Sequence, residues 1–197
     1  MSEADPMKSA IRKSTRRRSL RLLEVLEPYE HLMVMMHDNP DPDAIATGWA
    51  MRTIIAECLG RTARLVGGGA IVRAENRRLV ALLEPPIELV SELDITHPVG
   101  VVLVDCGIRA VNHLPFGGLL DPLVVIDHHP SSRASRDVIP FQDVRPHAAA
   151  SASIATAYLR ALSLEPSERL ATALLYAIRT ETRGFETEHR SEERRVG

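Results

Sequence analysis

The residues able to do chemistry gather in three short clusters. His37-Asp38-Asn39-Pro40-Asp41-Pro42-Asp43-Ala44 follows the apolar run Leu32-Met33-Val34-Met35-Met36. Asp105 follows Val101-Val102-Leu103-Val104, and Asp127-His128-His129 follows Leu123-Val124-Val125-Ile126. In the first cluster, Asp41 and Asp43 lie on one turn and His37 precedes them, so all three can face one pocket. Pro40 and Pro42 fix the backbone φ angles around Asp41 and hold these groups in place before any ligand arrives. Carboxylates and an imidazole this close repel unless a hard divalent cation sits among them. Mixed His and carboxylate ligation suits manganese, with magnesium, cobalt or iron after it. The same turn can instead cap the helix that follows, because Asp side chains readily bond the backbone two residues on. Asp105 alone reads equally well as a cap or a ligand. Two adjacent histidines after a strand cannot both enter the core, so one can ligate while the other handles a proton.

These clusters need a scaffold that brings them together. Apolar, β-branched runs predict strands over 31–36, 62–66, 99–104 and 123–126, with Val138-Ile139 as a short edge strand. Helices are expected around 19–26 and over 44–59, 76–83, 148–162 and 167–179. Gly60 and Pro85-Pro86 read as helix stops, and Ser167 with Glu168 opens the last helix as a loose capping box. Gly67-Gly68-Gly69 reads as a turn; no Lys-Ser or Lys-Thr follows to make it a phosphate loop. Strands alternating with helices predict an α/β fold, a parallel β-sheet flanked by helices on both faces. Ligands in such folds bind at the carboxyl ends of the strands, where the His/Asp clusters lie.

The totals agree with a globular protein: 197 residues, 45% hydrophobic, 4% aromatic and a formal net charge of -2. That charge does not point the chain as a whole toward nucleic acid or membrane. No apolar run approaches the ~20 residues of a membrane span. Cys58 and Cys106 have no metal-type spacing and, with no recognisable leader, indicate a reducing cytoplasm. Residues 1–18 read as a basic, disordered arm, residues 19–189 as the catalytic domain, and residues 190–197 as a non-native tail. That tail lacks periodicity and matches one frame of a common sequencing adapter, so the natural chain is expected to continue past His189. The basic block of Arg12, Lys13, Arg16, Arg17, Arg18 and Arg21 is either a solvated arm or a patch that attracts phosphates.

Over about residues 20–188, the chain resembles the DHH phosphoesterase family (RecJ-like, including nanoRNase and pAp phosphatase types). The resemblance rests on the three clusters and on Val104-Asp105-Cys106-Gly107 and Asp127-His128-His129-Pro130 as motifs. It implies a site for two divalent metal ions, usually manganese, that hydrolyses phosphoester or phosphoanhydride bonds. By resemblance, His37, Asp41 and Asp105 would hold one metal. Asp43, Asp105 and His128 would hold the second, with Asp105 as the bridge. His129 would face the scissile phosphate as ligand or general acid, and Asp127 would orient a histidine. The family's last ligand is an Asp from a segment ending a helix; here Glu181 occupies that place. Its extra methylene moves the carboxylate by about 1.5 Å, so the second metal site is expected to be weaker. Asn39, Arg109 and Ser151 are candidate substrate contacts. The alternatives for the last two are an exposed loop residue for Arg109, and a helix cap for Ser151 and for nearby Ser153.

The expected substrates are short oligonucleotides, 3'-phosphoadenosine 5'-phosphate or cyclic dinucleotides. An inorganic pyrophosphatase or exopolyphosphatase is the alternative with the same ligands, and a non-catalytic nucleotide-binding module is the third. Family members carry a smaller second domain that brings a glycine-rich substrate segment. That domain is not seen in this chain, so metal ligands with an open, incomplete substrate site are expected. No membrane partner is expected, and the full-length protein is compatible with a homodimer.

Overall fold

The computed structural model of the chain describes residues 6–107, 122–130 and 139–186. Its elements, in chain order, are α1 (Pro6–Leu26), β1 (His31–Met35), α2 (Pro42–Leu59), β2 (Arg64–Gly67), α3 (Ala74–Leu83) and β3 (Ile87–Leu89). They continue with β4 (Val99–Val104), β5 (Pro122–Asp127), β6 (Phe141–Val144), α4 (Ser151–Leu162) and α5 (Glu168–Glu181). All six strands join one sheet in the order β3-β2-β1-β4-β5-β6, and every pairing is parallel. The chain winds outward from β1 through β2 to β3, then returns to the centre and winds outward the other way from β4 to β6. The winding direction therefore reverses between β1 and β4. A crevice opens at the carboxyl ends of the strands at such a point.

The central strands form for the reason the sequence shows: their runs of Val, Leu, Ile and Met are buried on both faces. Leu32, Val34, Met36, Leu65, Val102, Val104, Val124 and Ile126 face a core built with α1, α2, α4 and α5. Met33, Met35, Val66, Val101, Leu103 and Val125 face the other way. Among the described residues, that second face is covered by Val90, Leu93, Ile95 and Ile139 rather than by a helix. The expectation of helices on both faces is met on the first face; among the described residues no helix packs on the second.

Three local expectations are corrected. The arm expected over residues 1–18 is helical from Pro6 onward. Thr15, Ser19, Leu22 and Leu26 recur at helical spacing and are buried, and this periodicity outweighs the like-charge repulsion. The edge strand is Phe141–Val144, not Val138-Ile139; Ile139 lies outside it and Val138 outside the described residues. An aspartate at an inward position, Asp143, hid the alternation in this strand. Finally, β3 was not foreseen at all, because three residues after Pro85-Pro86 carry too little pattern.

Candidate functional site

Each cluster hangs from a strand end. At the first, Asp41 is the N-cap of α2: its Oδ1 accepts hydrogen bonds from Asp43 N (2.9 Å) and Ala44 N (3.1 Å), and Pro42 starts the helix. The capping role foreseen for this turn is therefore real. It uses only one carboxylate oxygen and leaves Asp41 beside His37, whose Nε2 lies 3.9 Å from Asp41 Oδ1. His37 Nδ1 is 2.8 Å from the Asp38 carbonyl oxygen. That contact fixes the tautomer with the proton on Nδ1 and offers the Nε2 lone pair to the crevice.

Asn39 adopts the left-handed region (φ 54) and gives its backbone N–H to the Gly68 carbonyl (3.0 Å). Its side-chain carbonyl accepts from Ala70 N (3.0 Å). Gly69, at φ 70, has no room for a side chain: a Cβ there would lie 2.5 Å from Asn39 Oδ1. The three-glycine turn thus exists to let Asn39 clamp the loop after β2 against the first cluster. Asn39, a candidate substrate contact, acts through its carbonyl as part of this clamp.

Asp105 ends β4 with φ 54, a backbone conformation Asp tolerates better than most residues. The bend leaves it 3% exposed, with Oδ2 3.8 Å from His37 Nε2 and Oδ1 3.5 Å from His128 Nε2. One carboxylate therefore faces two histidines from two different strand ends. His128 Nε2 is also 3.6 Å from Asp43 Oδ2. Burial, and then the proximity of His129, lower the His128 pKa, so this ring is neutral and has a lone pair to give near pH 7. His129 behaves oppositely. Its Nδ1 lies 2.8 Å from Asp127 Oδ1, and that hydrogen bond raises its pKa. Asp127, itself 1% exposed, also accepts the His129 backbone N–H at 3.1 Å. Asp127 thus orients a histidine, as expected of it.

The start of α4 completes the site. Ser151 Oγ donates to Asp105 Oδ1 (2.8 Å), while the backbone N–H groups of Ser151 and Ala152 donate to the two oxygens of Asp43 (2.8 and 2.7 Å). Two unsatisfied N–H groups at a helix start are natural partners for a carboxylate. Ser151 is therefore placed to hold the acidic residues, and capping and site-building coincide in it. Ser153 donates its N–H to the Ala150 carbonyl within the first turn. Glu181 ends α5 and is exposed at the rim. Burial, then Asp43 and Asp41, raise its pKa, so it lies within electrostatic reach of the cluster. It is not among the groups whose donor atoms converge. Arg109 lies outside the described residues.

The charge balance indicates what is needed. Burial raises the pKa of Asp43 to about 6, against the α4 N–H groups that lower it. Asp105 is driven well above the ordinary carboxylate range by burial and by Asp43 and Asp41. Burial alone would lower the pKa of His37, but Asp41 and the Asp38 carbonyl outweigh it and raise it. Asp38 Oδ1 is buried without a hydrogen-bond partner. Buried acidic groups with this little compensation are at odds with an empty cavity at neutral pH. Donor separations of 3.5 to 3.9 Å are too long for hydrogen bonds. They approach the ~3–4 Å between two ligands of one cation that binds each at about 2.1 Å. Among the described residues, two groups have donor atoms all within 4.8 Å of one another: His37 with Asp41 and Asp105, and Asp105 with His128 and His129. A divalent cation fits the donors present. Cys106 is buried, and burial beside Asp105 pushes its thiol far up, so it is a packed residue and not a nucleophile.

Sequence reasoning missed Asp143, which is fully buried. It accepts from Arg145 through both oxygens (2.9 and 2.7 Å), from Tyr158 Oη (2.5 Å) and from Arg18 (2.5 Å). Arg145 N in turn donates to the Asp127 carbonyl at 2.8 Å. This cluster ties α1, β6 and α4 together beside the third motif. The one signal for it was an acidic residue inside an otherwise alternating strand.

Known proteins resemble this chain. An uncharacterized protein of Methanocaldococcus jannaschii, MJ1633, is 36% identical over 157 residues, which are 80% of this chain and 31% of that protein. A solved structure of an exopolyphosphatase-related protein from Bacteroides fragilis superposes with a TM-score of 0.56 at 12% identity. It covers 92% of this chain and 54% of its own, and the likeness is one of fold. The chain thus spans about a third of that curated relative and about half of that solved structure. The DHH family, N-terminal domain, matches residues 31–178, from β1 into α5 and across all three clusters. The chain belongs to the DHH family.

Proposed function

We propose that this chain is the catalytic part of a two-metal phosphoesterase whose substrates are short oligonucleotides, 3'-phosphoadenosine 5'-phosphate or cyclic dinucleotides. The observation that carries the reading is Asp105, whose two oxygens face His37 (3.8 Å) and His128 (3.5 Å) from the middle of the crevice. In this reading His37, Asp41 and Asp105 would hold one cation. Asp105, His128 and Asp43 would hold the other, with Glu181 at the rim as its weakest ligand. His129 also converges on Asp105, but its Nδ1 is committed to Asp127 at 2.8 Å, so we assign it the proton rather than the metal. Manganese is the preferred ion because the ligands mix imidazole and carboxylate.

Divalent cations held there would neutralise phosphate oxygens and make water nucleophilic near neutral pH. The chain's own residues do the rest. Asp127 holds the His129 ring at Nδ1 and raises its pKa, which favours the protonated ring as donor to the leaving oxygen. The α4 start and Ser151 keep Asp43 and Asp105 in place throughout. Pyrophosphate or polyphosphate hydrolysis by the same ligands is the second reading; the exopolyphosphatase-related description of the solved neighbour is what favours it.

The test is a substrate panel on the full-length protein with manganese: a dinucleotide, 3'-phosphoadenosine 5'-phosphate, a cyclic dinucleotide, pyrophosphate and polyphosphate. The proposal expects turnover of one of the first three and its loss in Asp105→Ala. Turnover confined to the last two moves the assignment to the second reading. Nucleotide binding without hydrolysis, unchanged by Asp105→Ala, removes the catalytic reading altogether.

A further inference from the structure

The basic block of the first helix is not used by the site described above. α1 contains Lys8, Arg12, Lys13, Arg16, Arg17, Arg18 and Arg21, and its first acidic residue is Glu24. α1 carries 7 of the chain's 24 Lys and Arg residues against one acidic residue, while the chain as a whole has a net charge of -2. Two of the arginines fasten the helix to the body: Arg16 donates to the Ala161 carbonyl (3.1 Å) and Arg18 pairs with Asp143 (2.5 Å). Arg21 pairs with Glu24 at 3.1 Å. Arg12, Lys13 and Arg17 are exposed and form no ion pair among the described residues.

This arrangement is adverse for a helix standing alone. Its first turn has no acidic residue to meet the positive end of the helix dipole. Arg12 with Arg16, Lys13 with Arg17 and Arg17 with Arg21 are like charges four residues apart, which repel. An external polyanion would relieve both. The rows are regular: Lys13, Arg17 and Arg21 rise about 6 Å per step along one face, with Arg12 and Arg16 beside them. The exposed apolar residues of α1, Ile11 and Leu20, are nine positions apart. At about 100° per residue they point to opposite sides of the helix, so among the described side chains they form no common apolar face to lie in a bilayer. The place of the helix also matters. Arg18 reaches Asp143, whose partner on β5 is Ile126, the residue before Asp127. Asp143, which pins the helix through Arg18, thus lies one strand, about 4.8 Å, from the strand that carries the third motif.

We propose that the outer face of α1 is a docking surface for the phosphate backbone of a single-stranded nucleic acid. It extends the candidate site so that strands longer than a dinucleotide are held outside the metal centre. This deepens the phosphoesterase reading by naming a polymeric end of its substrate range. The docking itself needs neither metal nor turnover.

The experiment uses the full-length protein in EDTA and labelled oligonucleotides of two and twelve nucleotides, read by fluorescence anisotropy across a salt series. Lys13→Glu/Arg17→Glu is the main variant and Lys13→Gln/Arg17→Gln the milder one; Arg16 and Arg18 are left intact because they anchor the helix. Binding of the twelve-nucleotide strand is expected to weaken at least tenfold in the Glu variant and less in the Gln variant. The slope of log affinity against log salt should become shallower by about 1.4 in the Gln variant, the loss of two phosphate contacts on a single strand. Dinucleotide binding should not change, and the melting temperature should not fall, since both variants relieve like-charge pairs within the helix. Equal affinity and slope in wild type and variants would overturn the proposal. So would loss of binding to phosphatidylserine vesicles with oligonucleotide binding intact. Weaker strand binding in a protein that hydrolyses nothing would support the docking surface while removing the phosphoesterase reading.

Discussion

Asp105 is the most connected acidic group in the crevice, and it is there because β4 ends in a left-handed bend. Changing it to Asn keeps the shape and the Ser151 contact but removes the charge. We expect Asp105→Asn to lower kcat/KM at least about 100-fold and to weaken manganese binding, measured by calorimetry. Ser151→Ala tests the support beneath it. Losing a buried hydrogen bond costs about 1 kcal/mol of stability, while a partner that orients a ligand is worth about 10–100-fold in metal affinity. A melting shift without any change in manganese affinity would show that Ser151 serves the fold alone. The convergence of His37, Asp41, Asp43, Asp105 and His128 was legible, since residue type and strand-end position survive in the sequence. The grip of Ser151 and Ala152 on Asp43 was not legible. It depends on backbone N–H groups, which every residue but proline has, and on contacts more than a hundred positions apart.

The elements that position these residues were mostly readable, because a buried parallel strand must be a continuous apolar run. β4 occupies the span its Val-rich run predicts, and α2 begins at the proline-flanked Asp41 that caps it. Errors fell where charge overrode the pattern. α1 was under-read because its arginines hid the Thr15, Ser19, Leu22, Leu26 row, and β6 because Asp143 sits where an apolar residue was expected. The cluster around Asp143 holds three elements against each other. Asp143→Ala strands the Arg145 guanidinium, and breaking a buried pair in this way costs about 3–5 kcal/mol. Tyr158→Phe, which removes only one hydrogen bond, should cost about 1–3 kcal/mol. Urea denaturation of both variants checks the order; equal costs would mean that Arg145 finds another partner.

Across the domain, the acidic crevice sets how stability responds to pH. Asp43 (raised to about 6), Asp105 and Glu181 all have folded pKa values above their unfolded ones, as do His37 and His129. For each, the folded state holds the proton more tightly, so the stabilisation is full below the unfolded pKa and lost as pH rises through the folded one. Asp41, Asp143 and His128 are lowered and act in the opposite sense, the aspartates losing stabilisation as pH falls below the ordinary carboxylate range and His128 as it falls below the ordinary imidazole range. In EDTA the melting temperature should therefore fall as pH rises from about 4 to 7. In saturating manganese the fall should shrink, because the cation takes the place of the protons. A melting curve that rises over this range in EDTA would contradict the reading of a charge-starved crevice. The central claim is that Asp105 joins two cation sites, and the number of ions bound tests it most directly. Manganese titration of the full-length protein, followed by calorimetry and electron paramagnetic resonance, should give two ions per chain with magnetic coupling, and Asp105→Ala should abolish the coupling and at least one ion. A single ion in the wild type, or two ions bound unchanged in Asp105→Ala, would contradict it.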